Sequence, residues 1–407
     1  MQSVQSVRAK HRPDYLLSVI VIVLVGVGMI MLYSTGSIIS YNLTGGATDK
    51  NTLFQTQSFS LILGLIGWFL ASRINYRKWQ KISPYLFYAS VILMLLVVTP
   101  WFSLKINGAT RWLKLGIFSF QPVELFKLAS ILYLASWLEK NRSNLNRMLT
   151  GLIPFLLLLG LTAGLIIFIQ KDLGSALVVI GIIMSIYFAS GVSMSMVGLS
   201  VGSLVAGLVG SILVFPYRVQ RLTAFFNTSQ NASGAGYHIN QALIALGSGG
   251  LIGRGLGNSY QIYGYLPEAT NDSIFAIIGE QFGFLGTFTL VSLFSIVIYR
   301  GYKISRYAAD SFGRSVAFGI TVWIGLQALI NIGAMLNLIP LTGITLPFIS
   351  YGGTSLLFSL IAMGILQNIS RYTTREVNHA TDSSRRGDRR TYYTNSRDAR
   401  SVARTRS

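Results

Sequence analysis

The stretch YLPEATNDSIFAIIGEQFG, Tyr265 to Gly283, sets Glu268 and Asp272 four residues apart, ahead of an apolar run long enough to cross a membrane. An acidic pair at such an edge stands out in a chain with only 13 acidic residues. Helix capping is the plainer use: Asn271 or Asp272 at a helix start would satisfy amides that lack an intrahelical partner, and an acid there complements the helix dipole. Glu280 follows eight residues after Asp272, roughly 12 Å deeper at about 1.5 Å per residue. A carboxylate inside hydrocarbon costs about 2.5–3.5 kcal/mol on insertion scales, so Glu280 is expected to face a polar cavity or a partner.

Three other stretches hold residues of chemical use. In NGATRWLKLGIFSFQPVELFKLAS, Asn107 to Ser130, Pro122 suits a first helical turn, and Glu124 and Lys127 share one helix face, where they can pair. Arg111 and Lys114 gather positive charge beside the same entrance. QKDLGSAL, Gln170 to Leu177, puts Lys171 and Asp172 at a turn, where a helix cap is the favoured use of the acid. In LIPLTGITLPFISYGGTSLL, Leu338 to Leu357, Pro340, Gly343, Pro347, Gly352 and Gly353 break the helix, and Ser350 is a candidate for substrate contact. Irregular backbone at membrane depth must be buried in protein or line a cavity. The glycine-rich ALGSGGLIGRGLGNS, Ala245 to Ser259, matches neither a dinucleotide nor a phosphate loop. Its glycines are expected to allow tight turns in a re-entrant segment.

The elements that must position these residues are membrane helices. With 52% hydrophobic and 11% charged residues, the 407-residue chain carries more apolar side chain than one soluble core can enclose. A span needs about 20 apolar residues, and such runs occur near 15–35, 53–71, 84–100, 119–138, 149–169, 173–190, 195–215, 273–299, 315–336 and 351–370. The first follows Arg8, Lys10 and Arg12 without a clear cleavage site and reads as an uncleaved span. The expected fold is an all-α polytopic membrane protein of about ten transmembrane helices, with a large extracellular loop, 216–272, between spans seven and eight. The absence of cysteine excludes disulfides and thiolate chemistry, and histidines at 11, 238 and 379 are too scattered for a metal triad.

Lys and Arg favour cytoplasmic loops. Arg73, Arg77, Lys78 and Lys81 follow span two, Lys140, Arg142 and Arg147 follow span four, and Arg300, Lys303, Arg306 and Arg314 follow span eight. Both termini are therefore expected in the cytoplasm: a short segment 1–13, the membrane domain 14–371, and a basic disordered tail 372–407 that would lie against anionic lipid, with no nucleic-acid partner. Lys105, Arg111 and Lys114 then fall outside, against the rule, which suggests an anionic ligand. Arg218 and Arg221 in the long loop are further candidates for it. All four constellations come to the outer face, round one expected cavity.

These motifs, GATRWLKLG with QPVELFK, KDLGSAL, QALIALGSGGLIGRGLG, LPEATNDSIFAIIGE and LPFISYGGTSLL, closely resemble those of the SEDS family of ten-span bacterial membrane proteins, FtsW, RodA and SpoVE. The resemblance runs from about Asp14 to Arg371. It implies a peptidoglycan glycosyltransferase of the plasma membrane that polymerises lipid II beside a class B penicillin-binding protein. The motif details and basic tail lie closer to the division branch, which implies work at the septum with other divisome proteins. The family's essential aspartate falls on Asp272, read as the base of an inverting transfer, and its Glu-Lys pair on Glu124 and Lys127. Arg111 and Lys114, with Glu268 and Glu280, become candidates for substrate contact. The resemblance implies no covalently bound cofactor; a divalent cation, Mg or Mn, would suit a carboxylate and a pyrophosphate, although the sequence shows no cage for one. Gly264 stands where relatives often carry a second acid, and Asn271 and Ser273 where Thr and Phe are common. A lipid II flippase, a RodA-type elongation polymerase and a noncatalytic scaffold are the competing readings. A flippase should show paired broken helices and an internal repeat, and no repeat is evident.

Overall fold

The computed structural model describes residues 12–44, 52–99, 101–106, 109–115, 118–214, 225 and 234–373. Arg218, Arg221, the first part of the long loop and the tail from Thr374 lie outside the described residues.

A helix stands at each expected span: α1 (Tyr15–Thr44), α2 (Thr52–Arg73), α3 (Tyr76–Leu96), α4 (Pro122–Lys140), α5 (Met148–Ile169), α6 (Leu173–Ala189) and α7 (Met194–Val214). Within the expected loop 216–272 stands a shorter helix, α8 (Ala235–Ser248), and after it come α9 (Ile274–Arg306), α10 (Ser311–Met335) and α11 (Gly353–Ser370). Among the described residues, six helices (α1, α2, α5, α9, α10 and α11) are long and apolar enough to cross a membrane, and α6 and Met194–Gly207 are shorter apolar helices. Apolar side chains such as Ile62, Ile66 and Phe69 on α2 and Phe284 and Phe288 on α9 stay exposed, as expected of faces whose solvent is lipid.

The centre of the bundle is built from α4, α6, α10 and α11, which bury Phe126, Ile183, Trp323 and Leu360. Tight crossings set its geometry. On α2 and α11, a Cβ added to Gly64 would meet Leu360 Cδ1 at 2.6 Å, and one on Gly364 would meet the Trp68 carbonyl at 2.5 Å. Here backbones approach closely because glycine carries no side chain. One end of the bundle is tied by the Arg300–Asp14 pair at 2.7 Å and the Arg77–Asp310 pair at 3.0 Å.

One element has no counterpart in the sequence reading. Three strands, β1 (Ser103–Ile106), β2 (Ala109–Leu115) and β3 (Phe118–Phe120), form an antiparallel sheet immediately before Pro122 opens α4. Strand pairing sets Ser103 opposite Leu113 and Leu113 opposite Phe120. Leu113 is buried and the Phe120 ring meets Phe358 of α11 at 5.9 Å, so the sheet is pinned to the bundle. The expected span 119–138 therefore starts at Pro122, because 118–120 pair as a strand.

Candidate active site

The acidic motif forms a turn before α9. The Asn271 and Ser273 amides donate to the Glu268 carbonyl at 2.9 and 3.2 Å, and the Tyr351 amide donates to the Thr270 carbonyl at 2.9 Å. Glu268 takes a left-handed conformation, φ 51°, which costs a non-glycine residue energy and is held only where its surroundings impose it. The cap expected from Asn271 or Asp272 is not formed: α9 starts at Ile274, and Ser273 occupies the cap position without a side-chain bond to the helix. Held in the turn that precedes the cap, Asp272 points one carboxylate oxygen at the irregular segment ahead of α11, 3.9 Å from where a Cβ on Gly343 would lie. Its side chain is almost buried. Asn331 of α10 donates its amide to both the Asp272 and the Ile344 carbonyls at 2.7 Å, fastening the acidic turn to that segment. Glu268 instead lines a cavity of about 370 Å³ with Leu53, Gly264, Pro267, Asn271 and Tyr351.

Glu280 has found a partner at depth. Its carboxylate accepts the Ser259 hydroxyl and, at 2.9 Å, the Tyr260 amide, and the residue is 1% exposed. The glycine-rich segment supplies those groups and also repairs a break in α9. At Gly283, φ 66° and ψ −161°, the helix is interrupted. The Glu280 and Gln281 carbonyls accept the Arg254 and Gly255 amides at 3.0 and 2.9 Å, while the Phe284 and Leu285 amides donate to Gly250 and Leu251 at 2.9 and 3.1 Å. Backbone groups freed inside a membrane must be satisfied by protein. Glycine is required because a Cβ on Gly249 would overlap the Gly279 carbonyl and one on Gly253 would lie 2.2 Å from that of Gln281.

On α4, Lys127 donates to Glu124 at 2.7 Å and to Gln327 of α10 at 3.0 Å, with its ammonium 5.6 Å from the Trp323 ring centre. The pair is buried, 1% and 5% exposed at the side chains. Arg111, on β2, donates to the Gln170 and Lys171 carbonyls at 3.4 and 2.6 Å and lies 3.9 Å from Asp172. Asp172 caps α6, accepting the Ser175 amide at 3.1 Å. Lys114 is exposed on the same strand. Ser350 is buried, its hydroxyl accepting the Leu346 amide at 2.8 Å.

The constellations form one contiguous chain. Arg111 holds the 170–172 turn; a Cβ on Gly174, just beyond it, would lie 2.6 Å from the Thr342 carbonyl; and the next residue, Gly343, faces Asp272. Both amide atoms of Gln170, Thr342 Oγ1, Glu124 Oε2 and Asn331 Oδ1 are buried without a hydrogen bond in the protein. Such atoms are ordinarily met by water or by ligand groups. Gln327, Asn331 and Thr342 escaped the sequence reading. An amide within an apolar run was the signal available for the first two, since a polar group inside a span marks an internal face. Among the described residues no three His, Asp or Glu side chains come together as a metal site.

The sequence profile of the FtsW/RodA/SpoVE family, described as "Cell cycle protein", matches residues 15–375. Stage V sporulation protein E of Bacillus subtilis (strain 168) is 39% identical over 371 residues, covering 89% of this chain and 98% of that protein. The probable peptidoglycan glycosyltransferase FtsW of Geobacter sp. (strain M18) is 37% identical over 358 residues, covering 88% and 96%. A chain solved for the structural coordination of polymerization and crosslinking by a peptidoglycan synthase complex superposes with a TM-score of 0.71 at 26% identity, covering 89% of this chain and 99% of that one. Rod shape determining protein RodA of Thermus thermophilus gives 0.62 at 26% identity, covering 89% and 98%.

Proposed function

Because the chain belongs to the FtsW/RodA/SpoVE family of cell cycle proteins, it is a multi-pass membrane peptidoglycan glycosyltransferase, and we propose that it polymerises lipid II with Asp272 as the base. The observation that carries this assignment is the setting of Asp272: an acid withheld from helix capping, fixed through its own carbonyl by Asn331, and turned toward an irregular segment in which the buried Thr342 hydroxyl has no hydrogen bond in the protein. In this reading the acceptor sugar hydroxyl gives its proton to the Asp272 carboxylate as its oxygen attacks the anomeric carbon of the donor. The bond from that carbon to the pyrophosphate oxygen breaks, the configuration inverts, and the pyrophosphate leaves on its lipid. Charge developing on the leaving group would be met by cations at the same rim. Arg111 and Lys114, on one strand, are the candidates, and Arg111 also braces the 170–172 turn.

A magnesium or manganese ion would arrive with the pyrophosphate, and no step above depends on it. A class B penicillin-binding protein is the proposed partner, supported by the likeness to a chain of a peptidoglycan synthase complex. Both termini are proposed to be cytoplasmic, and the site of action the division septum. The break in α9 is a feature that favours a flippase. Its backbone is closed by the glycine-rich loop rather than left to coordinate cargo, which supports the polymerase. The test is purified full-length protein with its partner, supplied with labelled lipid II and assayed for glycan ladders. Asp272→Asn is expected to abolish the ladder at unchanged folded yield, because Asn331 binds the backbone carbonyl and not the carboxylate. A ladder of wild-type length and rate from that variant would remove Asp272 as the base.

A further inference from the structure

A base that accepts a proton in every cycle must also lose it, and Asp272 is nearly buried. Its neighbour in the chain, Ser273, sets a hydroxyl beside that carboxylate. That hydroxyl oxygen is 3.5 Å from Asp272 Oδ1 and 2.5 Å from His238 Nε2 of α8. Its hydrogen also has the Pro267 carbonyl within reach at 2.9 Å. The histidine was set aside in the sequence as one of three scattered residues; the packing of α8 against α9 brings it to the acidic turn.

We propose that Ser273 and His238 form the route by which the proton taken up by Asp272 leaves the site, with His238 a positioning residue that acts through Ser273. This inference rests on Asp272 being the base. After transfer the neutral Asp272 carboxyl donates its proton to Ser273 Oγ as the Ser273 hydrogen passes to the unprotonated Nε2 of His238. One O–H bond breaks and one forms at Ser273, so the serine is unchanged, Asp272 regains its charge, and the proton resides on an imidazolium that water then deprotonates. Histidine suits the last position because imidazole exchanges protons near neutral pH. The longer leg, between Asp272 and Ser273, is of the kind that tightens only when substrate is bound.

The charges around His238 allow this role. Asp272 and Glu268 lie in the turn it faces, and Glu280, deeper on α9, is already bonded to Ser259 and Tyr260. Tyr237 adjoins it on α8, and Arg254 in the following loop donates to the Ser248 carbonyl and lies over the Tyr260 ring. Between Arg314 and Met335, α10 carries no charged residue.

The experiment measures kcat and KM for lipid II on the full-length chain with its transpeptidase partner, from mildly acidic to mildly alkaline pH. Five variants are compared: His238→Gln, Ser273→Ala, the double of these two, Ser273→Thr and Asp272→Asn. His238→Gln and Ser273→Ala are each expected to lower kcat about tenfold, below the 10²–10⁴ of a direct acid or base, with KM unchanged. Both should lose the fall in rate that protonation of His238 imposes on acidification. The double variant should lose no more than the worse single one, and Ser273→Thr, which keeps the hydroxyl, should retain most of the rate. If Ser273→Ala does not fold, His238→Gln carries the test, since its amide can still bond Ser273. Wild-type kcat and pH profile in His238→Gln would overturn the relay while leaving an inactive Asp272→Asn, and so the base, in place. An active Asp272→Asn would remove the base and the relay together.

Discussion

Replacing Glu124 by Gln removes the charge facing Lys127 and leaves an ammonium that is 1% exposed. Loss of one partner from a buried ion pair costs about 3–5 kcal/mol, because the remaining charge has neither water nor a counterion. Two contacts soften the loss here. Gln327 still accepts from the ammonium at 3.0 Å, and the Trp323 ring, 5.6 Å away, offers a cation–π contact of about 2 kcal/mol when desolvated. The expected cost of Glu124→Gln is therefore at the lower end, about 3 kcal/mol. The double variant Glu124→Gln with Lys127→Met removes both charges and should recover most of that, since neutral replacement of a buried pair is often near neutral. Unfolding titrated with SDS in mixed micelles measures both. A single variant that unfolds at the wild-type SDS fraction would refute the argument from buried charge. Turnover on the same preparations separates packing from chemistry: a stable double variant that makes no glycan would give Lys127 a part in the reaction beyond holding α4 to α10.

Other perturbations follow from the same contacts. Arg111→Lys keeps the charge but cannot span the Gln170 and Lys171 carbonyls as the guanidinium does; slower polymerisation is expected, and unchanged kinetics in Arg111→Ala would move the pyrophosphate contact to another cation. Gly283→Ala should cost folded yield, since a Cβ would lie 2.4 Å from the Gly253 nitrogen and a positive φ alone costs about 1–3 kcal/mol. Gly160→Ala, with no atom within 4 Å of its Cβ, is the matched control, and equal yields would contradict the closed break. Asn331→Ala leaves the Asp272 and Ile344 carbonyls without that donor; a stability loss of about 1–3 kcal/mol and reduced kcat are expected, and a variant normal in both would show that the staple is dispensable.

What the sequence determined by itself were the features with local causes. Hydrocarbon demands about 20 apolar residues in a row, so the ten helical segments were legible, as were the interruptions at Gly343, Pro347 and the glycine-rich loop, where backbone freedom or a missing donor is a property of one residue. Asp172 as a cap and Pro122 as a helix opener belong with these, because each bonds or bends within its own turn. The acidic motif could be singled out for the same reason, by its place ahead of an apolar run. Its use could not. Whether Asp272 caps α9 or faces Gly343 depends on Asn331, 59 residues away; Lys127 is completed by Gln327, 200 residues on; and His238 reaches Ser273 only because α8 lies against α9. The sheet before α4 escaped notice because such short strands are held by pairing and by Phe358 rather than by propensity. A side chain's partner in a helical bundle is chosen by which faces the helices present to one another, and that choice is the sum of many distant packing contacts, with no signature in any single stretch of chain.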